Sequence, residues 1–495
     1  MPSRLNISFT KKYVASLLCI LFIATTLIGG CGNKSIKEEQ YSEAVDSITL
    51  WYTDDSLTPY LEEKAMNFYK DEKIRVNLEC HSGLEFIEAV YSQSVSDKGG
   101  PDLYITGSDS IEKAVMAGVA IPIDNTSQYV NKVNYLDTAV RAVTYKDEVF
   151  GYPFYYETAF LLYNETYLRE MARSLLMDEI MTEASAGAED AEEMPEVGTV
   201  SSDELIPEGY TQESWNAAVD AKMQELVPGS VEDILMLADA CSAPAGVENI
   251  FNWDVNDIFY NYFFTGAYIN AGGEYGDDAS LINIYNKDAI QCLYVYQNLN
   301  QFFSIDSKES SYDKVVQDFI EGKTVFTVVT TDAIAAIETA RAEGRFDYEY
   351  NATMLPGIDA EHEAAGMSIT ECLMINGFSV HLESANEFAK FLTDCSGEDL
   401  YEKAGLMSCR NVADDYETDV FDIIKESYLA SEQLPKLLEM SNYWIGLEYV
   451  YNSVWNGADA NETLRLFASD ILGQVEGKPV EPEIIEYTPP EETEE

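Results

Sequence analysis

Alternation of apolar and polar positions marks the first elements of this chain. Ile48-Thr49-Leu50-Trp51-Tyr52 is a β-rich run, and Ile74-Arg75-Val76-Asn77-Leu78 alternates residue by residue, the period that turns one face of a strand to a core and the other to water. Between them Thr53-Asp54-Asp55-Ser56 is a polar turn able to begin a helix, and Leu61, Ala65, Phe68 and Tyr69 follow at helical spacing. The pattern predicts a second helix from Gly83 to Gln93, a third strand over Pro101-Asp102-Leu103-Tyr104-Ile105, and a helix around Ile111 to Ala117 after Gly107-Ser108-Asp109. Strands alternating with helices in this way are the signature of βαβ units on a mostly parallel sheet. Ligands of such sheets bind outside the carboxyl ends of the strands, so Asp54, Asp55, His81 and Asp109 are expected on one rim.

The N-terminus is organised differently. Arg4, Lys11 and Lys12 precede an apolar run from Tyr13 to Ile28, which closes on Ile28-Gly29-Gly30-Cys31. That arrangement resembles a bacterial lipoprotein leader, with a spanning anchor helix or an ordinary cleaved leader as the other readings. The resemblance implies that Cys31 carries diacylglycerol on sulfur and is the first mature residue, with palmitate-type acyl chains holding the protein to the cell membrane. About two acyl chains are needed for stable anchoring, and a diacylglyceryl cysteine supplies them. Residues 1–30 are therefore read as leader and 31–46 as a polar tether, placing the globule outside the cytoplasm. Residues 474–495, with Pro479, Pro482, Pro489 and Pro490 among glutamates, are expected to be a disordered acidic tail.

With 30 basic against 88 acidic residues the formal charge is −58, and −61 once the three basic residues of the leader are removed. This excess argues against nucleic acid or an anionic bilayer as partner. At about 150 residues per domain the remaining length suits two or three domains. Of the eight cysteines, Cys19 lies in the leader and Cys31 is the lipid site. Cys80, Cys241, Cys292, Cys372, Cys395 and Cys409 are widely spaced without a CxxC, and are read as mostly free, buried thiols.

Catalytic motifs fail on spacing. His362-Glu363 begins HExxH, but Gly366 stands where the second imidazole is needed; Gly322-Lys323-Thr324 ends like a phosphate loop, but Gln317 replaces its first glycine. His81, His362 and His381 are the only histidines, and there is no nucleophile elbow. The oxygen-rich turns Asp254-Val255-Asn256-Asp257 and Gly276-Asp277-Asp278 lack the glycine and glutamate of an EF-hand loop. The chain is therefore read as a non-enzyme, with neither cofactor nor metal. Its 33 tyrosines cluster with other rings in Phe154-Tyr155-Tyr156, Trp253 with Phe259-Tyr260-Asn261-Tyr262-Phe263-Phe264, and Tyr443-Trp444. A ring covers the C–H face of a sugar while carboxylates accept from its hydroxyls, although most such rings fill a core.

A family resemblance joins these pieces. Leu50-Trp51-Tyr52, Ala65 and Phe68 before Ile74-Arg75-Val76, Gly100-Pro101-Asp102, Ala117-Gly118 with Pro122, Gly151-Tyr152-Pro153, and Tyr156-Glu157-Thr158 to Tyr163-Asn164 are similar, in order and spacing, to extracellular solute-binding proteins of the maltose-binding type. Phe319 with Gly322-Lys323 before Val325-Phe326-Thr327-Val328, Leu355-Pro356-Gly357, and the stretch from Leu434 through Trp444 to Ile471 agree. The resemblance implies an α/β fold of the type II periplasmic-binding-protein class, two lobes with a ligand cleft between them. Lobe 1 would span 47–152 with a return over 369–422; lobe 2 would span 153–368 with the C-terminal helices 423–473. The chain departs from the family at 170–209, an acidic stretch read as a solvated insertion, or else as a docking arm for a surface partner.

The implied function is capture of a solute, a saccharide, for the membrane permease of an ABC importer, by a monomer that meets the membrane only through its lipid. The implied site takes Asp109 and Glu157 from family positions that bind sugar and Trp444 from the aromatic that stacks on it. Tyr155 and Tyr156 follow a lobe crossing placed after Pro153. Asp54 and Asp55 join by the strand-end rule and Trp253 by its aromatic cluster, with helix capping the competing role for Asp54, Asp55 and Asp109. A surface carbohydrate-active hydrolase or an adhesin would need paired catalytic carboxylates or repeats, and no repeat period is visible; a binding protein for a non-sugar solute feeding a sensor would use the same cleft.

Overall fold

The alternating runs form strands in two sheets. In the computed structural model, which describes residues 41, 43–97, 99–124, 128–186, 206–303, 305–394, 396–412 and 419–487, the strands are β1 (Asp46–Tyr52), β2 (Ile74–Cys80), β3 (Leu103–Gly107), β4 (Thr144–Tyr145), β5 (Glu148–Val149), β6 (Gly151–Thr158), β7 (Phe160–Asn164), β8 (Asn249–Asn252), β9 (Thr324–Val329), β10 (Tyr350–Thr353), β11 (Ser368–Ile375) and β12 (Met407–Ser408). Residues 1–40, which hold the expected leader and Cys31, and Cys395 and residues 187–205 lie outside the described residues.

The first sheet has the order β12-β6-β11-β3-β1-β2 and the second β10-β7-β9-β8, while β4 and β5 make a hairpin. As the βαβ pattern predicts, β1 runs parallel to β2 and to β3. The other half of the sheet, β11 on β3 and β6 and β12 on β6, is antiparallel. In the second sheet β8 is parallel to β9 and the rest is antiparallel.

Local chemistry sets the helix ends. Pro59 sits in the first turn of the helix Thr58–Glu72, where its missing N–H costs nothing, and Lys73 ends that helix in the left-handed region at φ 60°. Thr211 with Ser214, and Ser230 with Asp233, form reciprocal caps at the starts of the helices Gln212–Glu225 and Val231–Ala240. One core packs around Ile48, Leu50, Leu103 and Ile105 under the first sheet; a second packs around Phe251, Trp253, Val325 and Phe326. The helix Tyr443–Trp455 closes the second core by burying Tyr443, Leu447, Val450, Tyr451 and Val454, a stripe at helical spacing.

Among the described residues three crossings join the sheets, and two are tied by side chains. The first is at Ala159, between β6 and β7; the others are at Met367–Ser368 and after the helix Asp419–Leu429. Thr158 pairs in register with Ser368, Ser368 Oγ lies 2.5 Å from Ser431 Oγ, and Glu432 N donates to Gly366 O at 2.9 Å.

Some boundaries differ from the sequence expectation. Pro153 is not a crossing but part of β6, opposite Cys372, where the register shifts between Glu371 and Cys372; an irregularity of this kind accommodates a residue with no N–H to donate. The helix Glu165–Ala186 runs well into the stretch expected as insertion, and its Leu175, Leu176, Met177 and Ile180 pack against the second core. The chain after the last helix, Ala460–Glu476, is docked up to residue 487: Asn461 Nδ2 donates to Ile485 O at 2.8 Å, Ile485 N donates to Tyr285 Oη at 3.0 Å, and the Tyr487 ring stacks on Tyr294 at 5.3 Å. No helix among the described residues is long and apolar enough to cross a membrane. Cys292, Cys372 and Cys409 are buried free thiols, whereas Cys80 is exposed and Cys241 half-buried.

Candidate functional site

The carboxyl end of β3 and one face of the neighbouring strands converge on a cleft of about 450 Å³. From the first sheet come Gly107, Asp109, Glu157, Ile369 and Glu371; from the second side come Asp257 to Tyr260, Thr330, Leu434 and Trp444, with Met367 at the crossing. Strand alternation explains the first group. Glu157 pairs with Ile369 and Tyr155 with Glu371, so Tyr155, Glu157, Ile369 and Glu371 share the cleft face of the sheet. Glu371 also pairs with Gly107 across β3. Asp109 lies in a single turn of 3-10 helix at the end of β3.

The second side is built from rings. Asp257 caps the short helix Ile258–Asn261 through the Phe259 N–H at 2.8 Å, and Tyr260 stacks on Tyr312 with centroids 4.7 Å apart and planes 8° from parallel. Trp444, half-buried in the first turn of the helix Tyr443–Trp455, meets the edge of Tyr262 at 5.8 Å.

Electrostatically the cleft is one-signed, since none of its lining residues is Lys, Arg or His. Burial, and then the charges of Asp109, Glu157 and Asp54, push the Glu371 carboxyl up to about 8. Burial and the charges of Asp332 and Asp54 raise Glu157. Asp109 and Asp257 are raised chiefly by burial, although hydrogen bonds and the Lys113 charge oppose this at Asp109. Acidic groups that accept hydrogen bonds, with Glu371 also able to donate below about pH 8, facing a Trp and a Tyr, can bind a solute rich in hydroxyl or amino groups with an apolar face.

The cleft brings together Asp109, Glu157 and Trp444 of the residues singled out from sequence. Asp54 lies beside it: its charge reaches Glu157 and Glu371, while its side chain accepts the Ser56 N–H at 2.9 Å and caps the turn Asp55–Leu57. The other four need correction. Asp55 is exposed in that turn and is not part of the cleft lining. Tyr155 points to the right face but is buried beneath it, 5 % exposed, with its ring on Phe154. Tyr156 points the opposite way, as the next residue of a strand must, and stacks on Tyr428 at 3.8 Å. Trp253 is fully buried in the second core, stacked on Phe251 at 4.5 Å, with Nε1 donating to Asn261 Oδ1 at 2.9 Å. Sequence reasoning missed Glu371, Asp257 and Tyr260; a glutamate directly before the apolar run Cys372-Leu373-Met374-Ile375 was the signal for the first.

Comparison with known proteins places this geometry. Residues 65–422 match the model of a family described as bacterial extracellular solute-binding protein. Among solved structures, a cyclo/maltodextrin-binding protein complexed with maltotetraose superposes with a TM-score of 0.64 at 18 % identity, over 88 % of this chain and 98 % of that one. A Staphylococcus aureus extracellular solute-binding protein in complex with maltose gives 0.63 at 16 % identity, over 87 % and 98 %. The Thermus thermophilus maltotriose-binding protein, bound with maltotriose, gives 0.60 at 16 % identity, over 86 % and 100 %. No curated protein sequence matches. At these identities the likeness is one of fold, the two-lobe α/β architecture.

Proposed function

Since the chain belongs to the bacterial extracellular solute-binding proteins, we propose that it captures a saccharide in the cleft between its lobes and delivers it to the permease of an ABC importer. It does so as a monomer outside the cytoplasm, tethered through lipid on Cys31, and it carries out no chemistry on the solute. The observation that carries this reading is the cleft itself, where Asp109, Glu157 and Glu371 from one side face Tyr260 and Trp444 from the other. Carboxylates on one lobe orient the hydroxyls of a sugar, and a ring on the other covers its C–H face; neither half suffices in water, which competes for every hydrogen bond. Contacts complete only when both lobes touch the ligand make binding and lobe closure one event. The adjacent crossings at Thr158, Ser368 and Ser431 suit a hinge.

A thermal-shift screen of the globule from residue 41 onward, against mono- and oligosaccharides, amino acids, peptides and polyamines, tests the reading. A saccharide hit supports it. Stabilisation by amino acids or peptides alone rejects the saccharide, and no stabilisation by any class rejects solute capture.

A further inference from the structure

Glu157 and Glu371 stand in the cleft without a partner: among the described residues no side chain or backbone group hydrogen-bonds to either carboxyl, and no cation pairs with either. Asp109 and Asp257 share the cavity, and Asp54 and Asp332 act on it from its edges. Lys113 acts on Asp109, but its ammonium is engaged by Glu88 at 2.6 Å. A carboxylate that gives up water needs an opposite charge, and repulsion among like charges grows as the lobes close and water leaves. A proton held on Glu371 relieves part of that repulsion; hydroxyl groups of a neutral sugar donate hydrogen bonds but bring no charge to offset what remains among Asp109, Glu157 and Asp257.

We infer that the solute carries a protonated amine, so that the cleft takes an aminated saccharide in preference to a neutral one. This rests on the saccharide reading above and narrows it. The amine is placed among Asp109, Glu157 and Glu371, while Tyr260 and Trp444 cover the ring and add cation–π attraction. A bare divalent ion is the poorer fit: among the described residues no three His, Cys, Asp or Glu side chains come close enough to hold one metal, so the charges are spread as for an extended ligand. The elevated Glu371 agrees with this, since a carboxyl crowded by acids ionises more readily when a cation arrives.

The test is calorimetric titration of the globule with four probes at a pH where amines are protonated: glucosamine oligomers, their N-acetylated counterparts, maltooligosaccharides and spermidine. Glucosamine oligomers are expected to bind at least ~10-fold tighter than either neutral series, and to weaken with added salt more than the neutral series do. Glu157→Gln and Glu371→Gln, which keep shape and remove the acid, should bring the ratio toward one by weakening the aminated series more than the neutral sugars. A neutral series binding as tightly as the aminated one overturns the inference and leaves the saccharide reading standing. Spermidine binding without any sugar binding supports the charge and overturns the saccharide. Absence of binding by all four overturns both.

Discussion

Glu371 faces Gly107 across the β3–β11 ladder, where a Cβ at position 107 would lie 2.7 Å from Asp109 Oδ1 and 3.5 Å from Glu371 Oε1, so that a side chain there would have to push the Asp109 carboxyl aside. Two carboxylates therefore crowd one Cα. Burial and this crowding raise Glu371 from 4.5 to about 8. A carboxyl raised on folding binds more protons in the native state, so its contribution favours folding below about pH 4.5 and is lost as pH climbs to about 8. Glu371→Gln should accordingly be the more stable protein at pH 8, by about 1–3 kcal/mol, and should lose part of the pH dependence between those limits. Denaturant melts at pH 5 and pH 8 measure this; equal stability of the two proteins at pH 8 would reject the crowding.

Trp253→Ala should cost about 3–5 kcal/mol, the usual loss for a large ring removed from a packed core. Its indole touches Phe251, Phe264 and Trp455 rather than the cleft. Ligand affinity measured well below the lowered melting temperature should match wild type.

The part of the candidate cleft that was legible sits where simple rules place it. Asp109 follows a strand end, and Trp444 and Glu157 rest on a resemblance spread over the whole globule. Glu371 was hidden by distance: it reaches Glu157 through strand pairing between segments more than two hundred residues apart, which periodicity cannot see. Tyr155 and Tyr156 could not both face the cleft once Gly151–Thr158 proved to be a strand, and Pro153 read as a break when the β6–β11 irregularity absorbs it. Trp253 and Tyr260 belong to one aromatic cluster in sequence, and only the packing of the short helix Ile258–Asn261 separates the core ring from the cleft ring.

Lys436 ties the third crossing to both lobes. Its Nζ donates to Arg141 O at 3.1 Å and to Tyr275 O, and its N–H donates to Gly276 O at 2.7 Å. Burial drives its ammonium from 10.5 down to about 7. A lysine lowered on folding leaves the unfolded chain with more protons, so stability should rise with pH between about 7 and 10.5. Lys436→Met should flatten that rise in thermal melts, and an unchanged slope would show that Lys436 stays charged.

Cys31→Ser should leave the leader uncleaved or the protein shed from the cells. Labelling of wild type, but not of the variant, by a fatty-acid probe checks this; continued labelling of the variant would place the lipid elsewhere.

The central claim is that one solute is held between the lobes, touching both. Calorimetric titration of the saccharide found by screening, into wild type, Glu157→Gln and Trp444→Ala, tests it most directly, because each variant alters one side of the cleft. The account predicts a single site in wild type, a marked loss of affinity in Glu157→Gln, and a loss of about 0.5–1.5 kcal/mol beyond the buried area in Trp444→Ala, roughly 10-fold or more in all. Wild-type affinity in either variant, or a Trp444→Ala protein that melts earlier yet binds as before, would contradict it.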